Sequence, residues 1–341
     1  MNKKFLCLVK FVIGLAFVVG ASATAWGEEF YKGKTILFIV SYGPGGGYDI
    51  YTRAVARHIG KYIPGNPTPI VQNMSGRGGL NAAHYIYNRA KPDGLTVGVW
   101  PNAHVLGQAL GDRSVKIKGD KFGWIGAPGR GLPTCAIMGF TGLKTLKDVL
   151  NSKKPIKMDG TRVGATVDLP KILNLTLGTK FKVISGYAGT ALIRIIMQRR
   201  ELGGVCYGWE SMRVVARAVL DAKGEDKLIP FLVTHGNPQD PEVKDLPRLT
   251  EVIKGKENLA ILKAWLSQFN FQRPFSLPPG TPKERLSILR KAFKATLEDP
   301  EFLAQAKKSK LIINYVSGEE IEKFVDEILT ISPETKESSS S

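Results

Sequence analysis

The feature that most constrains the fold is a unit of apolar strand, polar or glycine-containing loop and amphipathic helix that occurs three times near the start of the chain. The strand-like "TILFIV" (35–40) leads through "SYGPGGGYD" into the helix-like "YDIYTRAVARHIGKYI". "PIVQNM" leads through "SGRGG" into "LNAAHYIYNRA", and "LTVGVW" (95–100) ends in "PNAH". Strands alternating with helices predict a parallel sheet with crossover helices, and in such sheets ligands bind beyond the carboxyl ends of the strands.

The middle of the chain continues this alternation. The candidate strands are "CAIMGF", "RVGATV", "FKVISGY", "GGVCYGW" and "LIPFLVTHG", and the candidate helices are "DLPKILNLTLG", "TALIRIIMQRR" and "SMRVVARAVLDA". Further on, Thr281 and Glu284 match a capping box with Pro282 at the first helical position. A chain of 341 residues with this pattern predicts an α/β protein of two domains.

The first 27 residues have the features of a secretory signal peptide. Lys3, Lys4 and Lys10 give a basic start, "FVIGLAFVVG" is a short apolar run, and Ala23-Thr24-Ala25 fits a cleavage site. The apolar run is too short for a stable membrane anchor. We therefore expect an exported protein, with "PETKESSSS" as a disordered tail from about residue 333.

Charge and cysteine content narrow the class of ligand. The formal charge of +18 attracts anions, but the basic residues are dispersed and form no nucleic-acid-binding arm, so we expect a small anionic ligand and no nucleic acid. Without a CxxC motif, and with four scattered histidines, no metal site is expected. Cys135 and Cys206 could pair in an oxidising compartment or remain buried thiols.

The two glycine-rich loops exclude a nucleotide and favour a carboxylate. No glycine begins a Walker pattern, and Tyr48 and Asn81 stand where a dinucleotide fingerprint needs its third glycine. A glycine-rich turn that opens a helix still offers free backbone N–H groups, to which the helix dipole adds partial positive charge. The loops at 43–47 and 76–79 therefore predict a carboxylate site, with no cofactor; the alternative is that their glycines only form tight turns.

At these loops the sequence resembles the TctC or Bug family, the extracytoplasmic solute-binding receptors of tripartite tricarboxylate transporters. "GPGGGYD" (43–49), "VQNMSGRGGLNAA" (71–83) and "KPDGLTVGV" (91–99) resemble the first three motifs of that family, in order and at similar separations. "ISGYAGTALIRIIMQRRELGGV" and "LPPGTPKERLSILRKAF" resemble later ones. The resemblance spans nearly all of the chain after the leader.

The resemblance implies a two-domain, periplasmic-binding-protein-like (type II) fold with a ligand cleft between the lobes. Domain 1 would comprise 28–128 and 229–341, and domain 2 would comprise 129–228. It further implies a monomeric periplasmic receptor, without enzymatic activity, that delivers a small carboxylate to the membrane subunits of a transporter. The expected ligand-binding residues are Tyr42, Gly46, Gly47, Asp49, Asn73, Gly78, Gly79, Asn102, His104, Thr166, Tyr187, Gly189, Thr190, Trp209 and Glu210.

Several of these roles have structural alternatives. Asp49 could cap the following helix instead of contacting the ligand. His104 could be a satisfied polar residue. Trp209 could stack on a flat ligand or pack at the hinge, and Glu210 would repel a second carboxylate unless it is protonated or faces away. At the level of the whole protein, an exported enzyme on the same scaffold and a sensor for a signalling partner remain open.

Overall fold

The computed structural model describes residues 30–330, so the predicted signal peptide and the predicted tail from about residue 333 lie outside the described residues. The described chain forms two mixed sheets flanked by helices. Within 30–330, no helix combines the length and apolar character needed to cross a membrane.

The first sheet contains six strands in the order β11-β4-β10-β3-β1-β2. Its strands are β1 (Thr35–Val40), β2 (Thr68–Asn73), β3 (Thr96–Val99), β4 (Gly123–Ala127), β10 (Phe275–Leu277) and β11 (Val316–Ser317). β1 pairs with β2 and β3 in parallel, which confirms the pattern read from the three strand–loop–helix units. β10 and β11 are antiparallel to the strands beside them. Through these two strands, the C-terminal part of the chain returns to the first sheet.

The second sheet contains five strands in the order β7-β6-β8-β5-β9. Its strands are β5 (Pro133–Met138), β6 (Ile156–Gly160), β7 (Phe181–Ser185), β8 (Gly204–Gly208) and β9 (Leu228–Val233). Each sheet, with its helices, forms one lobe. The exact domain boundaries proposed from the resemblance remain a prediction.

The described helices connect and cover the sheets. They are α1 (Gly47–Ile59), α2 (Leu80–Asn88), α3 (Ala103–Ala109), α4 (Leu146–Asn151), α5 (Ala165–Leu177), α6 (Thr190–Gln198), α7 (Trp209–Val215), α8 (Arg217–Leu220), α9 (Leu249–Val252), α10 (Lys256–Leu266), α11 (Lys283–Glu298), α12 (Pro300–Lys308) and α13 (Gly318–Leu329). Buried apolar side chains fill the space between these helices and both sheets, among them Trp100, Trp124 and Phe293.

Two local predictions were wrong. "RVGATV" is not a strand: its first residues form a loop and α5 begins at Ala165, while the preceding strand is β6, at "IKMDG". The end of β6 and the start of α5 were difficult to predict at Gly160 and Gly164, because glycine is compatible with both a strand end and a helix cap. The capping box at Thr281 does not form either, since α11 begins at Lys283 and the Thr281 hydroxyl donates to the Pro278 carbonyl at 2.8 Å.

The two cysteines face each other on paired strands. Cys135 of β5 and Cys206 of β8 are register partners in an antiparallel pair and are fully buried. The structure joins them in a disulfide across 71 residues of sequence. Of the two alternatives that the sequence left open, the structure therefore contains the bonded one.

Candidate functional site

A cavity lies between the two lobes, at the ends of strands from both sheets. Its volume is about 80 Å³. The residues that line it include Tyr42, Gly46, Gly47, Tyr48, Asn102, Thr161, Gly164, Thr166, Gly189, Thr190, Tyr207, Ser211, Gln268, Gln272 and Arg273. A cavity of this size suits a small molecule that contacts both lobes at once.

Three helices of nine to thirteen residues begin at this cavity. Gly46, Gly164 and Gly189 are the N-caps of α1, α5 and α6, and none of the three has a side-chain cap. The N-terminal end of a helix carries partial positive charge and free N–H groups. Three such ends around one cavity create a positive potential, which favours an anionic guest.

The glycine loop before α1 keeps donors available for that guest. Gly45 N–H donates to Asp49 at 2.9 Å, and Gly47 N–H donates to the Thr190 hydroxyl at 3.2 Å. Among the described residues, the N–H groups of Gly46 and Tyr48 have no acceptor. Because Gly46 lines the cavity and has no side chain, a ligand atom can approach its backbone closely.

Arg273 adds a full positive charge to the cavity. It is 2% exposed, and its Nη2 donates to the Ser211 hydroxyl at 2.5 Å. Its Nε has no partner among the described residues. The guanidinium lies 4.4 Å from the centre of the Tyr51 ring, and its only nearby carboxylate within 30–330 is Glu210, at 3.9 Å. A buried guanidinium with unused donors is a strong partner for a carboxylate.

The lobes touch beside the cavity. Gly43 N–H of the first lobe donates to the Ala188 carbonyl of the second at 3.1 Å, next to the Gly47–Thr190 contact. Gly189 has φ of 152°, a conformation that a residue with a side chain rarely adopts, and it brings the start of α6 against Tyr42. These contacts close the cavity on the side of the glycine loop.

The predicted site residues separate into groups according to this geometry. Seven of the fifteen line the cavity: Tyr42, Gly46, Gly47, Asn102, Thr166, Gly189 and Thr190. Gly78 and Tyr187 line a neighbouring cavity, nearer the solvent. The remaining six lie outside both linings: Asp49, Asn73, Gly79, His104, Trp209 and Glu210.

Asp49 and Asn73 hold the glycine loop in place. Asp49 accepts from Gly45 N–H and from Arg53 Nε, each at 2.9 Å, and from Asn73 Nδ2 at 2.9 Å. Asn73 Nδ2 also donates to the Tyr42 carbonyl at 2.8 Å. Burial opposes ionisation of Asp49, but these hydrogen bonds keep its pKa below the ordinary value. Asp49 therefore holds the loop that precedes α1, but it is not the helix cap that the sequence suggested, since it lies inside α1 and the N-cap is Gly46.

His104 and Gly79 support the second glycine loop. His104 is 2% exposed, and its Nε2 donates to the Gly78 carbonyl at 2.9 Å. Burial lowers the pKa of His104 to about 4, so the ring is neutral near pH 7. Gly79 has φ of 94°, and an added Cβ would lie 2.5 Å from Pro101 Cδ. That glycine is required by the fold, so substituting it would not report on ligand binding alone.

Trp209 and Glu210 do not reach the cavity. Trp209 is 1% exposed, and its Nε1 donates to Asp240 at 2.9 Å, so the indole has no free face for stacking on a ligand there. Glu210 accepts from Leu132 N–H at 2.7 Å and is 4% exposed. Burial raises its pKa, with the Arg273 charge opposing that effect. Trp209 therefore packs in a buried apolar cluster, and Glu210 contacts the cavity lining through its ion pair with Arg273.

Sequence reasoning missed about two thirds of the cavity lining, since seven of its 21 residues were predicted. Thr161 and Gly164 were hidden by the incorrect strand at "RVGATV", and Tyr48, Tyr207 and Ser211 lie one or two residues from positions that were named. Gln268, Gln272 and Arg273 come from a segment far along the chain, "SQFNFQRPF", that carries no loop motif. The one available signal was an arginine directly before a proline in an apolar segment.

Two sheet-and-helix lobes with a cavity between them are the fold of periplasmic binding proteins. Solved structures agree. The chain is similar to the periplasmic binding protein BugD (TM-score 0.68, 19% identity, 90% of this chain and 97% of that one). It is also similar to malate-bound MatC from Rhodopseudomonas palustris (0.68, 17%, 89% and 98%) and to adipate-bound Rpa4515 from R. palustris (0.71, 15%, 90% and 97%).

These similarities show that the chain has the fold of Bug- and TctC-type binding proteins, as the motifs predicted. The sequence itself matches no protein-family model and no curated protein. Among the similar structures, BugD is named a periplasmic binding protein and a TctC protein from Polaromonas a solute binding protein, and MatC and Rpa4515 contain dicarboxylates.

Proposed function

We propose that this protein is a periplasmic receptor that captures a small organic acid in the cavity between its lobes. The observation that carries the proposal is the cavity's own chemistry: three glycine-capped helix starts and the buried, incompletely partnered guanidinium of Arg273 surround one small space. Two structures with a similar fold, MatC with bound malate and Rpa4515 with adipate, support a carboxylate as the ligand.

The ligand's carboxylate would lie between the Gly46 loop and Arg273. The N–H groups of Gly46 and Tyr48 supply donors on one side, and the guanidinium supplies charge on the other. The hydroxyl of Thr190 and the start of α6 approach from the second lobe. A ligand that contacts both lobes favours their closed arrangement by its differential affinity, and the closed form would deliver the acid to the membrane subunits of a tripartite tricarboxylate-type transporter.

The test is a thermal-shift screen of the protein without its leader against mono-, di- and tricarboxylates, aromatic acids, nucleotides and sugars. A ligand that binds only the folded state raises Tm by mass action. We expect carboxylates to raise Tm and the other classes to leave it unchanged. A shift with a neutral sugar or a nucleotide, and none with any acid, would refute the proposal.

Arg273 provides the matched variants for this screen. Arg273→Gln removes the charge and should weaken binding of the best acid by roughly 10- to 100-fold, the range of a lost charged hydrogen bond of about 1.5–3 kcal/mol. Arg273→Lys keeps the charge but lacks the planar guanidinium, so its affinity for the acid should lie between those of the wild type and Arg273→Gln. If Arg273→Gln unfolds, Arg273→Lys alone decides: unchanged affinity there, with a normal Tm, would argue against the guanidinium as the anchor.

Two further measurements separate the alternatives. Mass spectrometry of the acid recovered after prolonged incubation should show it unchanged, whereas an exported enzyme would convert it. Uptake of the labelled acid by cells with and without the gene distinguishes transport from signalling, since a sensor would leave uptake intact. Size-exclusion chromatography should show a monomer with and without the acid.

A further inference from the structure

A second cavity lies on the solvent side of the main one. Its volume is about 330 Å³, and it is lined by residues of both lobes. Tyr42 and Thr161 line both cavities, so these two side chains form the wall between them. A ligand longer than the main cavity would extend past this wall into the outer cavity.

Two arginines, one from each lobe, line the outer cavity. Arg77 precedes α2 in the first lobe, and Arg162 precedes α5 in the second. Both are exposed, and neither side chain makes a hydrogen bond or an ion pair with any residue in the described range. Two like charges that share a cavity repel each other, and an anion placed there turns that repulsion into attraction.

Both arginines also have an unusual backbone conformation. Arg77 has φ of 50° and Arg162 has φ of 120°, and the second value lies in a region that only glycine adopts readily. Gly78 packs against the Arg162 side chain, since a Cβ added to Gly78 would lie 3.2 Å from Arg162 Cβ. Glycine at position 162 would relieve the strain, so the strained arginine indicates a use for its side chain.

We propose that Arg77 and Arg162 form a second anion subsite that binds the far acidic group of a dianionic ligand. This inference rests on the proposed function, in which the first carboxylate lies in the main cavity. A guanidinium pairs with a carboxylate through two parallel hydrogen bonds, so two arginines can hold one carboxylate from opposite sides. Because each arginine belongs to a different lobe, the bound anion ties the lobes together at the mouth of the cleft.

The experiment compares matched diacids and monoacids by isothermal titration calorimetry: succinate, adipate and suberate against butyrate, hexanoate and octanoate. The proteins are the wild type, Arg77→Gln, Arg162→Gly and the control Arg113→Gln. Arg113 is exposed, lines neither cavity and has no ion pair among the described residues. Tm of each protein is measured without ligand.

We expect the wild type to bind its best diacid at least about 10-fold more tightly than the monoacid of equal length. Arg77→Gln and Arg162→Gly should each weaken that diacid by roughly 10-fold, the effect of about 1.4 kcal/mol, and leave the monoacid within about twofold. Arg113→Gln should change neither. Arg162→Gly should also raise Tm, because it relieves the strained backbone; higher stability with lower diacid affinity is a result that a purely structural arginine would not give.

The outcomes separate this inference from the proposed function. Tight binding of acids that is indifferent to the second acidic group, or to both arginine substitutions, overturns the second subsite and leaves the receptor intact. Equal losses for diacid and monoacid also overturn it, since they would place the arginines at the first carboxylate or in the fold. If no acid binds the wild type, the proposed function fails first, and the subsite fails with it.

Discussion

Gly47 offers a sharp test of closure, because the structure places its missing side chain against the opposite lobe. A Cβ added at Gly47 would overlap the Ser211 side chain, lying 2.7 Å from Ser211 Cβ. Carbon atoms prefer a separation of about 3.5–4.0 Å, so α1 and α7 would have to separate by about 1 Å. Gly43 is the matched control: it lines neither cavity, and its added Cβ would lie at an ordinary 3.6 Å from Ala188 O of the opposite lobe.

The cost should appear in ligand affinity. Overpacking of this kind costs about 1–3 kcal/mol, which corresponds to roughly 5- to 150-fold weaker binding. Gly43→Ala should change the affinity by less than about threefold, because its Cβ makes only ordinary contacts. Without ligand, Gly47→Ala should unfold cooperatively near the wild-type Tm, because alanine is accepted in a helix more readily than glycine. Calorimetric titration with the best acid of the screen gives the affinities. Equal affinities for the two variants would show that a side chain at Gly47 does not hinder closure. A large fall in the ligand-free Tm of Gly47→Ala would show that the Ser211 contact stabilises the fold and is not specific to closure.

Two other predictions concern stability. The depressed pKa of His104, about 4 against an ordinary 6.5, means that the folded state excludes a proton that the unfolded chain binds. Its contribution of about 3 kcal/mol is therefore complete above pH 6.5 and is lost as the pH falls towards 4. In His104→Gln that loss should vanish, so the Tm difference from wild type should change between pH 7 and pH 4.5; a constant difference would contradict the assignment. Replacing both Cys135 and Cys206 by serine opens a loop of 71 residues and should lower the free energy of unfolding by about 2–4 kcal/mol. Denaturant titration measures this, and wild type under reducing conditions should approach the variant if the bond is accessible to the reductant.

The sequence predicted the elements best where local pattern and tertiary structure agree. "TILFIV" became β1 within its predicted bounds, since a short apolar run between glycine-containing loops suits a buried strand. "IKMDG" was missed as β6 because its lysine and aspartate interrupt the apolar pattern, although Asp159 is fully buried in the structure. Local reading cannot detect a buried carboxylate, whose position is determined by the surrounding fold.

The site was predictable only as far as it depends on the backbone. The glycine loop at 43–47 could be identified because a run of residues without side chains is recognised directly in the sequence. Arg273 was missed because its importance comes from where β10 re-enters the first sheet, beside α7 of the second lobe. The order of residues within "FNFQRPF" does not indicate this tertiary contact.

The two kinds of positive charge in the cleft have different effects on specificity. Helix starts and backbone N–H groups at Gly46, Gly164 and Gly189 attract an anion of many shapes, because they offer a diffuse field and several donors. Arginine side chains select for geometry, since a planar guanidinium fits a carboxylate at one distance and orientation. With Arg273 lining the main cavity and Arg77 and Arg162 lining the outer one, the three arginines would therefore select the length of the ligand. The glycine-capped helices explain why an acid would bind, and the arginines would decide which acid it is.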